Sequence, residues 1–334
     1  MASKTTRYGR LASLCATGVV AASAWLAQAA YAAPYSAVVA FGDSLSDNGN
    51  FYAASAALVA AEVLPGQLPQ APYFEGRFSN GPVAVEVMAQ RLGIPLVGLA
   101  YGGAGTGPSN LQAPPELGPL NTTGLLSQVG GFVAAQGGAA DLSALYLVWA
   151  GTNDFILGDL SQVGVIITQA VTNLNTAVGA LYGAGARHFL LPLMPDLGLT
   201  PQAIAAGSDI AAALSAISAA FNDALGGSYL ALLGLLPGAE FTVFDTVAAQ
   251  RGLVASAAAF GITNTTGGCF SGFVGEPGDV CDDPSSYLFW DRQHPTALVH
   301  RILGEQFAAA VPAPSALALT LLALALLVPL NRRR

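Results

Sequence analysis

Five short, mostly apolar runs punctuate the chain: Ser36–Phe41, Pro95–Ala100, Ala144–Ala150, Arg187–Leu193 and Glu240–Asp245. Near-continuous apolar runs of this length, rather than alternating ones, mark strands buried on both faces. Between them the spacing turns helical. Asn80-Gly81-Pro82 places a capping-type residue and then a proline ahead of Val83–Leu92, which predicts a helix start. Leu160–Tyr182 and Pro201–Leu233 predict longer Ala-rich helices, and Thr296–Ala310 predicts a last one. Strand–helix alternation argues for an α/β domain whose parallel sheet is covered on both faces. In such sheets a site forms at the carboxyl ends of the strands.

The two ends of the chain break this rhythm. Lys4, Arg7 and Arg10 precede an apolar stretch to Leu26, and Ala30-Tyr31-Ala32 fits a small-x-small cleavage pattern, which predicts a secretory signal over 1–32. Cleavage after Ala27-Gln28-Ala29 is the alternative. At the other end Val311-Pro312-Ala313-Pro314 opens a run to Leu330, followed by Asn331 and three arginines. That run has the length of a bilayer span, with its basic end held on the cytoplasmic side. Between the ends, 33–310 is long enough for one large domain.

Charge sharpens the division. Only 10% of the 334 residues are charged, and the formal net charge is −8. Six of the 12 cations lie in the two terminal segments, so the middle keeps six cations against all 20 acids, a net of −14. An acidic domain is a poor nucleic-acid binder. Lys4 is the only lysine, which excludes P-loop, Schiff-base and Ser-Lys chemistry from the mature domain. Outside the signal, with its Cys15, the cysteines are Cys269 and Cys281, and an even pair in an oxidising compartment predicts one disulfide. Asp279, Asp282 and Asp283 nearby fit a solvated acidic loop, with a calcium site as the alternative.

The segments after the strands hold the candidate chemistry. After the first comes Gly42-Asp43-Ser44-Leu45-Ser46-Asp47, and after the second Gly102-Gly103-Ala104-Gly105-Thr106-Gly107. Gly151-Thr152-Asn153-Asp154 follows the third, and a long loop after the fifth leads to Trp290-Asp291-Arg292-Gln293-His294-Pro295-Thr296. Taken singly, a serine in such a turn is a helix cap, a glycine cluster is a loop, and Asn-Asp is a turn. Of the three histidines, His188 opens a strand and His300 lies in a helical pattern, both structural positions. His294 sits three residues after Asp291, a spacing that lets a carboxylate orient an imidazole. No G-x-S-x-G elbow and no clustered metal-ligand spacing occur.

Together and in this order, the four segments resemble the GDSL esterases and lipases, or SGNH hydrolases. Gly76-Arg77-Phe78-Ser79-Asn80-Gly81 adds a further matching stretch, while Gly98 stands where the family's glycine block often begins with Asn. The resemblance implies a three-layer α/β/α, flavodoxin-like fold with about five parallel strands. It implies a secreted or surface serine hydrolase of carboxylic esters that needs no metal or organic cofactor. Ser44 would be the nucleophile, His294 its base and Asp291 the orienting carboxylate. The N–H groups of Ser44 and Gly103 and the amide of Asn153 would form the oxyanion hole. The expected substrates are acyl lipids, short-chain esters or acetylated polysaccharide. The tail at 311–334 resembles a PEP-CTERM sorting signal, with Ala313 replacing the usual glutamate. That implies signal peptidase and an exosortase-type enzyme as processing partners. It also implies passage through a membrane-bound stage and a place at the cell surface, in the extracellular matrix or at the outer membrane of a Gram-negative bacterium. A catalytically idle surface or exopolysaccharide-binding module on the same fold is the alternative.

Overall fold

The computed structural model describes residues 35–113 and 115–312. The expected signal over 1–32, Cys15, and the tail beyond Pro312 lie outside the described residues. The five expected strands all form: β1 (Val38–Gly42), β2 (Leu96–Gly98), β3 (Leu145–Trp149), β4 (His188–Pro192) and β5 (Glu240–Phe244). They pair in the order β2-β1-β3-β4-β5, every pair parallel. This is the doubly wound, flavodoxin-like order, in which the chain reverses its direction of winding between β1 and β3.

Period-two alternation assigns each strand residue to one of two cores. Val39, Phe41, Tyr146, Val148, Phe189 and Leu191 face one helical layer. It consists of α3 (Leu125–Ala135), α5 (Val163–Ala184) and α7 (Ser208–Leu235). Register sets Tyr146 beside Phe189 and Phe189 beside Phe241, an aromatic row under these helices. Val38, Ala40, Leu145, Leu147 and Leu190 face the opposite layer of α2 (Ala84–Leu92) and α9 (Ala297–Ala310). In α5 the buried positions Ala170, Leu174, Ala177, Val178 and Leu181 trace one helical stripe. By length and composition α5 and α7 match a membrane span, but here each lays its buried stripe on the sheet.

Three expectations are refined. The helix expected over Pro201–Leu233 is two, α6 (Pro201–Ala205) and α7, because Gly207 adopts φ 110°, a conformation that ends a helix and suits glycine. Sequence spacing also passed over α1 (Asn50–Ala60), α3, the short α4 (Thr152–Ile156) and α8 (Thr246–Ala255). It likewise passed over a second sheet, β6 (Asn264–Gly268) with β7 (Tyr287–Phe289). Finally, Asn80 does not cap the helix it precedes. Its Oδ1 accepts from the N–H of Ala297, the first residue of α9, at 2.8 Å. In return, His300 of α9 accepts the N–H of Ala84, the first residue of α2, through Nδ1 at 3.2 Å. Each helix thus satisfies an orphan donor of the other. Accepting that bond requires a neutral imidazole, and burial pushes the His300 ring down to about 3.

Candidate active site

The chain leaves β1 through Gly42, where a side chain would collide with the backbone carbonyl of Trp149 on β3. Gln128 of α3 grips this glycine twice: its Nε2 donates to Gly42 O at 2.8 Å and its Oε1 accepts from Gly42 N at 3.0 Å. Ser44 follows on a turn closed by Ser46 N donating to Asp43 O at 3.0 Å. Asp47 fixes the next stretch. Its carboxylate accepts from the N–H groups of Gly49, Asn50 and Phe51 at the start of α1, and of Gly102 in the glycine loop. Burial pushes Asp47 up to about 6 against the pull of those four donors. Asp43 is also fully buried, and burial lifts it to about 7.

The loop from β7 delivers the other half of the site. Trp290 N donates to His294 O at 2.7 Å, closing a tight turn that points Asp291 and His294 the same way. His294 Nε2 lies 3.0 Å from Ser44 Oγ, and His294 Nδ1 lies 2.7 Å from Asp291 Oδ2. The Asp291 Oδ1 accepts from the backbone N–H groups of Gln293 and His294, both at 2.7 Å. Asp291 is wholly buried. Burial is the largest influence and pushes its carboxyl up, but His294 and the backbone donors outweigh it and hold the group below its usual range.

Asn153 stands in the first turn after β3. Its Nδ2 donates to Ala104 O at 3.0 Å, which leaves a second amide N–H free to face Ser44's side of the cleft. Asn153, Ser44 and His294 line one cavity; Gly103 is not among its lining residues. Gly103 adopts φ 77° where a side chain would collide with Gln112, and Asn110 clamps the loop by donating from Nδ2 to Gly102 O at 2.7 Å. Among the described residues the N–H groups of Ser44 and Gly103 have no hydrogen-bond acceptor. Cys269 and Cys281 form a disulfide. In the loop it closes, Asp283's neighbour segment is a plain turn: Asp283 Oδ1 accepts from Ser285 N at 3.0 Å.

Three side chains around His294 were not singled out from the sequence. Tyr73 donates its hydroxyl to Asp291 Oδ2 at 2.7 Å. Burial, then the Asp291 charge, drive the Tyr73 phenol upward, so it remains a donor. Phe78, within the glycine-flanked block 76–81, packs tilted on the imidazole with centroids 5.3 Å apart. Phe273 stacks on it at 5.8 Å and 17°, and Arg292 lies over the outer face of Phe273 at 3.9 Å. Phe78 had a motif to mark it; Tyr73 and Phe273 lie on irregular loops with no periodicity to do so.

The cavity encloses about 880 Å³ of space and is walled mainly by Leu, Ile, Val, Trp and Phe side chains. Chemically, the site combines a hydroxyl on a base, a base on a buried carboxylate, spare N–H donors and an apolar slot.

Comparison with known proteins agrees with this chemistry. The family model described as GDSL-like Lipase/Acylhydrolase matches residues 38–307. The chain is 26% identical over 340 residues to a phosphatidylcholine-sterol acyltransferase of Aeromonas hydrophila, covering 87% of this chain and 94% of the relative. It is 26% identical over 319 residues to a GDSL esterase/lipase of Arabidopsis thaliana, covering 81% and 80%. To esterase EstA of Pseudomonas aeruginosa it is 31% identical over 320 residues, covering 84% of this chain and 47% of that relative. With the family model spanning the whole sheet and both halves of the site, the chain belongs to the GDSL-like lipase/acylhydrolase family.

Proposed function

We propose that this protein hydrolyses carboxylic esters through an acyl-enzyme on Ser44. The observation that supports the reading best is the unbroken chain Ser44 Oγ, His294, Asp291, with contacts of 3.0 and 2.7 Å. A serine hydroxyl is a weak nucleophile until a base stands beside it. In the first step Ser44 Oγ bonds to the ester carbonyl carbon while His294 Nε2 takes its proton. Collapse of the tetrahedral intermediate breaks the bond to the alcohol oxygen, to which His294 returns the proton. Water then repeats the sequence, releasing the acid and restoring Ser44. Asp291 holds the imidazole's tautomer and stabilises its charged form. The N–H of Ser44, the N–H of Gly103 and the second amide N–H of Asn153 would receive the developing oxyanion, where preorganised donors count most.

Export fits the basic-apolar start of the chain and the Cys269–Cys281 disulfide, which suits an oxidising compartment. Signal removal near residue 32 and exosortase-type processing of 311–334 complete the proposal, with the domain over 33–310 acting at the cell surface.

Ser44→Ala tests the reading. Turnover of p-nitrophenyl esters and covalent labelling by a fluorophosphonate are both expected to vanish. Persistent labelling would remove Ser44 from the role of nucleophile, and a wild-type protein that binds glycans but neither turns over esters nor labels would make the domain a binding module.

A further inference from the structure

The cavity beside Ser44 runs away from the reacting atoms along the carboxyl ends of the strands. In sheet order it is lined by Ser44 after β1, Trp149 at the end of β3, Leu197 after β4, and Thr246 and Ala249 after β5. Leu253 of α8 and Ile302 of α9 close it from above. Neighbouring strands lie about 4.8 Å apart, so the three spacings from β1 to β5 make a slot about 14 Å long. An extended alkyl chain advances about 1.25 Å per carbon, the projection of a C–C bond of roughly 1.5 Å. The slot therefore matches about ten or eleven carbons.

Its chemistry matches too. Among the described residues, no Asp, Glu, Lys or Arg lines the cavity. A charged acyl group would have no counter-ion there, and an acetyl group would leave the slot unfilled. The cavity is also continuous with Ser44 and His294, so a chain threaded into it keeps its carbonyl carbon at the nucleophile.

Resting on the ester-hydrolase reading above, we propose that this slot is the acyl subsite, on the β3–β4–β5 side of Ser44. It makes the enzyme selective for uncharged linear acyl groups of about eight to eleven carbons, and a poor deacetylase. Ala249 is the residue whose enlargement shortens the slot from its far end.

The experiment is a series of p-nitrophenyl esters from acetate to palmitate on the wild-type protein and on Ala249→Phe, with Ala249→Leu as the milder variant. Each methylene buried is worth roughly a threefold to fourfold gain, so wild-type kcat/KM should climb from acetate and level off near ten carbons. In Ala249→Phe the ratio of decanoate to acetate kcat/KM should fall at least about tenfold, the effect of two or so excluded methylenes. A parallel series of alkyl acetates, varied on the alcohol side, should show no such climb. A wild-type maximum at acetate, or an unchanged ratio in an Ala249 variant that still labels with fluorophosphonate, overturns the acyl subsite. A climb only in the alkyl acetate series does so as well, by placing the alcohol in the slot. Absence of both turnover and labelling in the wild type overturns the ester-hydrolase reading itself, a separate failure.

Discussion

Tyr73→Phe isolates one hydrogen bond that no local sequence motif announces. The phenol donates to Asp291 Oδ2 at 2.7 Å, on the same oxygen that faces His294 Nδ1. The ring packs edge-on against Phe78, Phe270 and Trp290, contacts that phenylalanine keeps. The substitution therefore removes a buried donor and little else, and Asp291 retains His294 and two backbone donors. A hydrogen bond to a charged group is worth about 1.5–3 kcal/mol, so unfolding free energy at neutral pH should drop by about 2 kcal/mol. Catalysis should respond with a definite sign. The phenol draws charge from Asp291; without it the carboxylate favours the imidazolium more strongly. The acid limb of log kcat/KM should then move to higher pH. If about half of the lost bond energy is felt by the imidazole, the shift is about one pH unit, since one unit corresponds to roughly 1.4 kcal/mol. The assay is kcat/KM against pH from 4.5 to about 9 on the best p-nitrophenyl ester, beside urea unfolding of both proteins. An acid limb that stays in place while KM alone changes would refute the reasoning and make Tyr73 a wall residue instead of a positioning one.

Two further outcomes follow from the same geometry. Asn153→Ala should lower kcat by about 100- to 1,000-fold, the usual loss for one oxyanion donor, and near-normal turnover would return Asn153 to its bond with Ala104. His300→Gln should change how stability depends on pH. The ring's folded value of about 3 lies below its ordinary one, so its contribution is present above pH 6.5 and is lost as pH falls toward 3. The wild type should therefore lose up to about 4 kcal/mol more than the variant over that range in unfolding at successive pH values, and parallel curves would sink the account. Asp43 and Asp47, raised to about 7 and 6, act with the opposite sign and are common to both proteins, so they cancel in the comparison.

Legibility differed by residue for physical reasons. The five strands could be located because burial on both faces demands an apolar run, and each run falls on a strand of the central sheet. Asn80 was legible as a helix cap but not as to whose: its chemistry is local, while its partner, Ala297, belongs to a helix brought alongside only by folding. The split at Gly207 was missed because glycine is permissive in either conformation and spacing alone does not choose. The β6–β7 pair escaped because Asn264–Gly268 is polar and glycine-rich, without strand-like composition.

Read alone, the chain specified an α/β domain, an acidic lysine-free interior between two basic ends, and four strand-end segments with serine, glycine, asparagine and Asp-x-x-His. All of these rest on composition or on interactions spanning a few residues, which a linear reading contains. Folding alone decided that Ser44 and His294, 250 positions apart, stand at 3.0 Å, and that Tyr73 reaches Asp291 across 218. It also decided the apolar slot, whose walls come from the ends of four strands and two helices. A cavity is space left between elements, and no residue's own identity encodes how far its neighbours stop short of filling it.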